Sequence, residues 1–281
     1  MKIGFIGAGN MGGAIMTGYA KSPASAGNEI LLHDRLTEHN AAMAETIAKS
    51  GYSNQNIRIC NNNAELAEEA DIIIIGVKPN IVDNVLAEIA KAAEDKIIVS
   101  MAAGVSLQQM ANALSSASNG LGEKARLIRI MPNTPAKVGA AMIAICRNSN
   151  VSDDDFARAK SIFDSVGMAE EVTEDLIDCV IGISGSSPAY TYMYIEALVN
   201  AGVANGMDAD KAKIFACQAV AGAAKMALES KDSLEQLRIN VCSPGGTTIE
   251  AVNKLFANGF MDDVTEAVQA AVDRSKEMTA E

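Results

Sequence analysis

The sequence predicts an α/β chain in two parts: a parallel sheet covered by helices on both faces, then an all-helical domain. Two observations carry this. Short Ile- and Val-rich runs alternate with amphipathic helical patterns through the first half, the signature of βαβ units. Beyond Asp175 no convincing strand pattern appears, only Ala-rich helical stretches. We set the domains at residues 1–173 and 174–281.

The strand expectations are Lys2–Gly7, Glu29–Asp34, Asp71–Val77, Lys96–Met101, Arg126–Met131 and Ala140–Cys146, with a short edge strand near Met168–Val172. A run such as Ile72–Ile75 fits a strand buried on both sides. Helical patterns occupy residues 11–21, 38–51 and 81–94. A further helix follows Ser152, a hydroxyl residue suited to capping it. In the second half, 188–206 reads as a helix with Pro188 in its first turn and Gly206 near its end. A second, very Ala-rich helix spans 208–230. Several of these helices are apolar on more than one face, which implies burial by other helices or by a second subunit. Hence the expectation of a homodimer through this domain.

Composition bounds the function. Apolar residues make up 49% and charged residues 21% of the 281, with a net charge of −12. That balance argues against nucleic acid and anionic membrane surfaces as partners. No run reaches the ~18 apolar residues of a membrane span. Five scattered cysteines and two histidines form no metal-binding cluster, so no metal is expected. The cysteines and the absence of a leader pattern read as cytoplasmic.

The first strand runs into Gly7-x-Gly9-x-x-Gly12 and then a helix, the context a dinucleotide site needs. This makes the first domain a Rossmann fold. Gly7 turns the chain, Gly9 admits a pyrophosphate and Gly12 lets helix and strand pack closely. Ile6, Ala8, Asn10 and Met11 flank them. At the end of the second strand, Asp34 stands where an acid takes the ribose 2′-hydroxyl of NAD(H). Loss of Asp34 is therefore expected to weaken NADH use more than NADPH use. Arg35 beside it suits a 2′-phosphate, so NADH and NADPH both stay open. Gly76, Val77, Lys78 and Pro79 lie at one strand end, and Met101, Ala102 and Ala103 at the next. Ligands bind outside such ends. The segment Met131-Pro-Asn-Thr-Pro135 reads as an active-site loop containing Asn133.

One late segment stands out, Ser243-Pro-Gly-Gly-Thr-Thr-Ile-Glu-Ala251. Pro244, Gly245 and Gly246 shape a bare loop before a helix starting near Thr247. The N–H groups of Gly246, Thr247 and Thr248 suit a carboxylate at a helix N-terminus. Ser243 adds a hydroxyl donor. Helix capping by Ser243 and Thr247 would use the same N–H groups.

Taken in order, GFIGAGNMGGAI, GVKPN, SMAAGVS, RIMPNTP, SGSSPAY, GAAKM and SPGGTTIEAV resemble pyrroline-5-carboxylate reductases nearly end to end. The last segment resembles that family's signature. The resemblance implies reduction of L-Δ1-pyrroline-5-carboxylate to L-proline by NADPH or NADH, in dimers often assembled into decamers. It implies that the Thr248 hydroxyl meets the ring nitrogen and that Asn63 lies near the adenosine half of the cofactor. Ser187 stands where the family often has glycine. A hydroxyacid dehydrogenase of the same layout would instead need a catalytic lysine in the helical domain, where Lys211, Lys213 and Lys225 are available.

Overall fold

The computed structural model describes residues 1–49 and 56–280. The chain packs as two compact units, Met1–Gly185 with Val272–Glu281, and Ser186–Ala271.

In the first unit the eight strands are β1 (Lys2–Ile6), β2 (Glu29–His33), β3 (Ile57–Ile59), β4 (Ile72–Ile75), β5 (Ile97–Ser100), β6 (Arg126–Met131), β7 (Ala141–Arg147) and β8 (Gly167–Glu171). They form one sheet in the order β3-β2-β1-β4-β5-β6-β7-β8. The helices of this unit are α1 (Asn10–Lys21), α2 (Thr37–Lys49), α3 (Asn63–Glu69), α4 (Val82–Ile89), α5 (Leu107–Ala117), α6 (Leu121–Lys124), α7 (Asp153–Asp164) and α8 (Ile177–Val180). The helical reading over 38–51 ends in Ser50 and Gly51, which lie outside the described residues.

The alternation of side chains along each strand divides the core in two. Ile3, Phe5, Ile72, Ile74, Ile97 and Val99 pack with Ile15, Tyr19, Ile47 and Phe163, from α1, α2 and α7. Ile6, Ile73, Ile75 and Ile98 pack with Leu66, Leu86, Met110 and Leu114, from α3, α4 and α5. All four residues of Ile72–Ile75 are fully buried, each worth roughly 1.5–3 kcal/mol relative to exposure.

Two features depart from expectation. The sheet is not wholly parallel, because β7 runs antiparallel to β6. Residues 132–140, occupied largely by a short 3-10 turn over Thr134–Val138, are too few for a crossover, so the chain folds straight back. β8 runs parallel to β7, joined to it through α7 as the crossover, so the last two strands both run opposite to the other six. Ser152 caps α7, its hydroxyl accepting from Asp155 N at 3.1 Å. The second departure is β3, an edge strand too short to be read from its sequence.

The first unit continues past residue 173. Glu174 pairs with the buried Arg129 at 3.0 Å and accepts from Leu107 N at 2.7 Å. Ile177 is buried among the strand side chains. Burial pushes the Cys146 thiol up to about 11, Glu174 adding to the shift and Arg129 opposing it, so it is an inert core residue.

Close helix packing makes one glycine obligatory. A Cβ on Gly122 would fall on the Ala111 carbonyl oxygen of α5. Gly122→Ala should therefore destabilise the first unit by ~1–3 kcal/mol, as overpacking does. An unchanged melting temperature would show that α6 can swing away freely.

In the second unit α9 (Ser187–Ala204), α10 (Ala209–Glu229), α11 (Leu234–Val241), α12 (Thr247–Ala257) and the start of α13 (Phe260–Ala280) are its only regular elements. Pro188 lies in the first turn of α9, and Asp208 caps α10 by accepting from Asp210 N and Lys211 N. Among its described residues only Ala212 and Ala216 are buried, while Met193, Phe215 and Leu228 are exposed by 68%, 67% and 76%. Such faces are what a helical unit shows when its core is completed by another chain.

Candidate functional site

A cleft of about 1550 Å³ runs along the C-terminal ends of the strands in the first unit. Its lining includes Ile6, Gly7, Ala8, Gly9, Asn10 and Met11 from the β1–α1 turn, and Asp34 and Arg35 after β2. Asn63, the Gly76–Val77–Lys78–Pro79 strand end and Met101, Ala102 and Ala103 complete that set. Every residue expected on the cofactor side is thus brought to one cavity.

The glycine turn has three distinct steric demands. Gly7 sits at φ +99°, and a Cβ there would meet Gly76 O at 2.9 Å. Gly12, in the first turn of α1, packs against the turn, and a Cβ there would come within 2.6 Å of Gly7 O. Gly9 differs, since a Cβ on it would meet nothing within 4 Å. Gly9 is also the N-cap of α1 and brings no side chain to the first turn. A bare helix N-terminus facing open space at the end of a parallel strand is where a diphosphate fits, and the residues present fit a dinucleotide.

Asp34 is tied into this turn. Its carboxylate accepts from Ala8 N at 2.7 Å and from Leu36 N at 2.9 Å. Its backbone is clamped by the buried Asn40, through bonds of 2.7 and 2.8 Å. Burial works against ionisation, but the Ala8 and Leu36 N–H groups and the nearby His39 outweigh it and hold the carboxyl below its usual range. A depressed carboxyl contributes stability that is complete above the ordinary value and is lost as pH falls through the folded value. Asp34→Asn lacks that contribution. Its melting temperature should fall less than wild type between about pH 7 and pH 3; parallel curves would contradict the hold described.

The structure adds residues that the sequence reading passed over. His39 and Met43 of α2, and Asn84 and Glu88 of α4, line the same cleft. Glu88 accepts from Asn63 Nδ2 at 2.6 Å, while Asn63 Oδ1 is buried without a hydrogen-bond partner among the described residues. The signal was their one-turn spacing on helices that start at strand ends. From the loop after β6, Ala136–Gly139 reaches the cleft and Asn133 does not. Asn133 is buried, with Nδ2 donating to Ser184 O at 3.1 Å and Oδ1 accepting from Met142 N at 3.0 Å. Its amide thus braces the return into β7 against the π-helical turn Ile181–Gly185.

In the second unit Ser243–Gly246 forms a tight turn closed by Gly246 N donating to Ser243 O at 3.0 Å. Pro244 and Gly245, the latter at φ +68°, occupy the central positions as a type II turn requires. The Gly246 N–H, expected to face a ligand, is therefore used by the turn. Gly246 is the N-cap of α12 and provides no side-chain cap. Neither Ser243 nor Thr247 caps it instead. The N–H groups of Thr247 and Thr248 stand at an open helix N-terminus, with the Ser243 hydroxyl close to Gly246.

Residues 174–278 match the family model described as pyrroline-5-carboxylate reductase dimerisation. Residues 2–104 match one described as NADP oxidoreductase, coenzyme F420-dependent. Pyrroline-5-carboxylate reductase of Escherichia coli is 42% identical to the chain, covering 99% of it and 98% of the relative. The chain belongs to the pyrroline-5-carboxylate reductase family. The Methanosarcina acetivorans member of the family is 38% identical over 99% of the chain and 97% of its own length. Among solved structures, the Coxiella burnetii reductase superposes with a TM-score of 0.88 at 32% identity, covering 99% of this chain and 98% of that one. The Plasmodium falciparum pyrroline carboxylate reductase, solved with NADP bound, gives 0.80 at 31% identity, with coverage of 99% and 98%. An imine reductase from Myxococcus stipitatus, at 15% identity and TM-score 0.53, shares the fold. Among the described residues, no helix is long and apolar enough to cross a membrane.

Proposed function

We propose that this protein reduces L-Δ1-pyrroline-5-carboxylate to L-proline with NADPH or NADH. The observation that carries the reading is the open N-terminus of α12 behind the Ser243–Gly246 turn. It lies within a chain 42% identical to a reductase of that name. A bound nicotinamide supplies the hydride for the imine carbon. The protein's own residues do the rest. The Thr247 and Thr248 N–H groups, the Ser243 hydroxyl and the bare backbone at Gly245 and Gly246 seat the substrate carboxylate. The Thr248 hydroxyl contacts the ring nitrogen and orients the ring. No strong acid is required, because a cyclic imine binds already protonated. The glycine turn and the strand-end residues Gly76–Pro79 and Met101–Ala103 hold the dinucleotide.

The second unit pairs with its counterpart in a homodimer, with a decamer as the higher assembly. Light scattering separates those two masses. The five free cysteines fit a reducing compartment such as the cytoplasm. The reading is tested by mixing protein, pyrroline-5-carboxylate and either nicotinamide cofactor. Absorbance at the reduced nicotinamide band should fall while proline accumulates in equal amount. A folded protein that binds cofactor but forms no proline would refute it.

A further inference from the structure

The end of α13, from Val272 onward, belongs to the first unit. Val272 and Ser275, three residues apart and so on one side of the helix, are buried. Ser275 Oγ donates to Asp178 Oδ1 of α8 at 2.5 Å. Three residues further on, the Met278 backbone comes against Gly104. A Cβ on Gly104 would meet Met278 O at 3.3 Å, and Gly104 itself sits at φ +75°.

Gly104 follows Met101, Ala102 and Ala103, which line the cleft after β5. The internal bonds of this segment are long. Met101 N donates to Ile75 O at 3.2 Å, Ala102 N to Ser100 Oγ at 3.2 Å and Val105 N to Ala102 O at 3.4 Å, at or beyond the far end of the usual range. Its outer supports are firmer. Leu107 N donates to Glu174 Oε1 at 2.7 Å, and Glu174 pairs with Arg129 at 3.0 Å. Glu174 opens the short helical run that carries Asp178, and Ile177 in that run is buried in the core. A ring of contacts thus leaves the segment at Leu107, passes through Glu174, Asp178 and Ser275, and returns at Gly104 through Met278.

We propose that the end of α13 is a strap that holds the Met101–Gly104 segment in its cleft-lining shape, fastened by the Ser275–Asp178 hydrogen bond. Ser275 and Asp178 are positioning residues for the dinucleotide and act through the segment, since neither is among the residues lining the cleft. A segment already held in one shape loses less freedom when a ligand binds, so the strap contributes affinity without a contact of its own.

The proposal rests on the dinucleotide reading of the cleft, so binding is measured apart from turnover. Full-length Ser275→Ala should keep its helix, Ala being the better helix former. Its NADP+ dissociation constant, from calorimetric titration, should rise on the order of tenfold, the worth of one charge-assisted hydrogen bond. Amides 101–106 should exchange hydrogen faster while those of β1 and β4 keep wild-type protection; a general loss of stability would speed both. In steady state the cofactor KM should rise and kcat at saturating cofactor should hold. Asp178→Asn keeps an acceptor oxygen and should retain most of the affinity. Asp178→Ala should match Ser275→Ala, and the double variant should bind no more weakly than either, because one bond is lost once. An unchanged NADP+ constant in Ser275→Ala would overturn the strap, as would additive losses in the double variant. Wild-type protein that binds no dinucleotide would instead sink the reading of the cleft, and the exchange of amides 101–106 would still decide the strap.

Discussion

Replacing Thr248 by Ala is expected to cut turnover by ~10–10³, the range for one positioned donor or proton partner, without loss of the fold. Thr248 is in the first turn of α12, behind a turn that is closed by its own backbone at Gly246. It does not cap the helix, and Ala is the better helix former. Stability therefore gives no route for an indirect effect. If the hydroxyl acts mainly as the ring reaches its transition state, kcat falls and KM stays; if it holds the ground state equally, KM rises instead. Thr248→Ser keeps the hydroxyl and should retain most of the rate. Steady-state kinetics unchanged in a folded Thr248→Ala protein would remove the residue from the mechanism.

The fold of the first unit was legible because its signals are local and repeated. Ile72–Ile75 could only be a doubly buried strand, and Gly7, Gly9 and Gly12 are spaced for one job. The direction of β7 was not legible, since the Met131–Pro135 segment marks a turn without saying where the chain goes next. Its two prolines and Asn133 serve a sharp reversal, with the Asn133 amide spanning Ser184 O and Met142 N. The segment expected as an active-site loop carries those two bonds at Asn133 and lines the first unit's cleft further on, at Ala136–Gly139. Asp34 teaches the same lesson at a smaller scale. Its position after β2 is readable, but the partner of its carboxylate depends on the path of a loop 26 residues away in sequence. His39 and Glu88 were missed for a related reason: their one-turn spacing with Met43 and Asn84 marks a helix face, but the pattern alone does not separate a polar face turned to solvent from one turned to a cleft.

The glycine turn offers the sharpest separation of binding from stability. Gly9→Val is expected to weaken dinucleotide binding on the order of 10²-fold, as loss of one or two charge-assisted bonds to the diphosphate would. The same change should cost at most about 1 kcal/mol of stability, through a poorer N-cap. The reason is that Gly9 has an ordinary φ of −65° and open space where its Cβ would go. No protein atom lies within 4 Å of the new Cβ, so the side chain is expected to obstruct a ligand rather than the fold. Gly12→Ala is the contrasting case, because its Cβ would come within 2.6 Å of Gly7 O. That variant must push helix from strand, with ~1–3 kcal/mol of overpacking, and should lose stability and affinity together. Titration with NADP+ beside thermal unfolding distinguishes them. Normal affinity in Gly9→Val would mean that no phosphate approaches this backbone, and the diphosphate seat would have to lie elsewhere along the strand ends. Reduced affinity with intact melting would place the ligand against Gly9 itself, since the protein has no atom within 4 Å of the added Cβ.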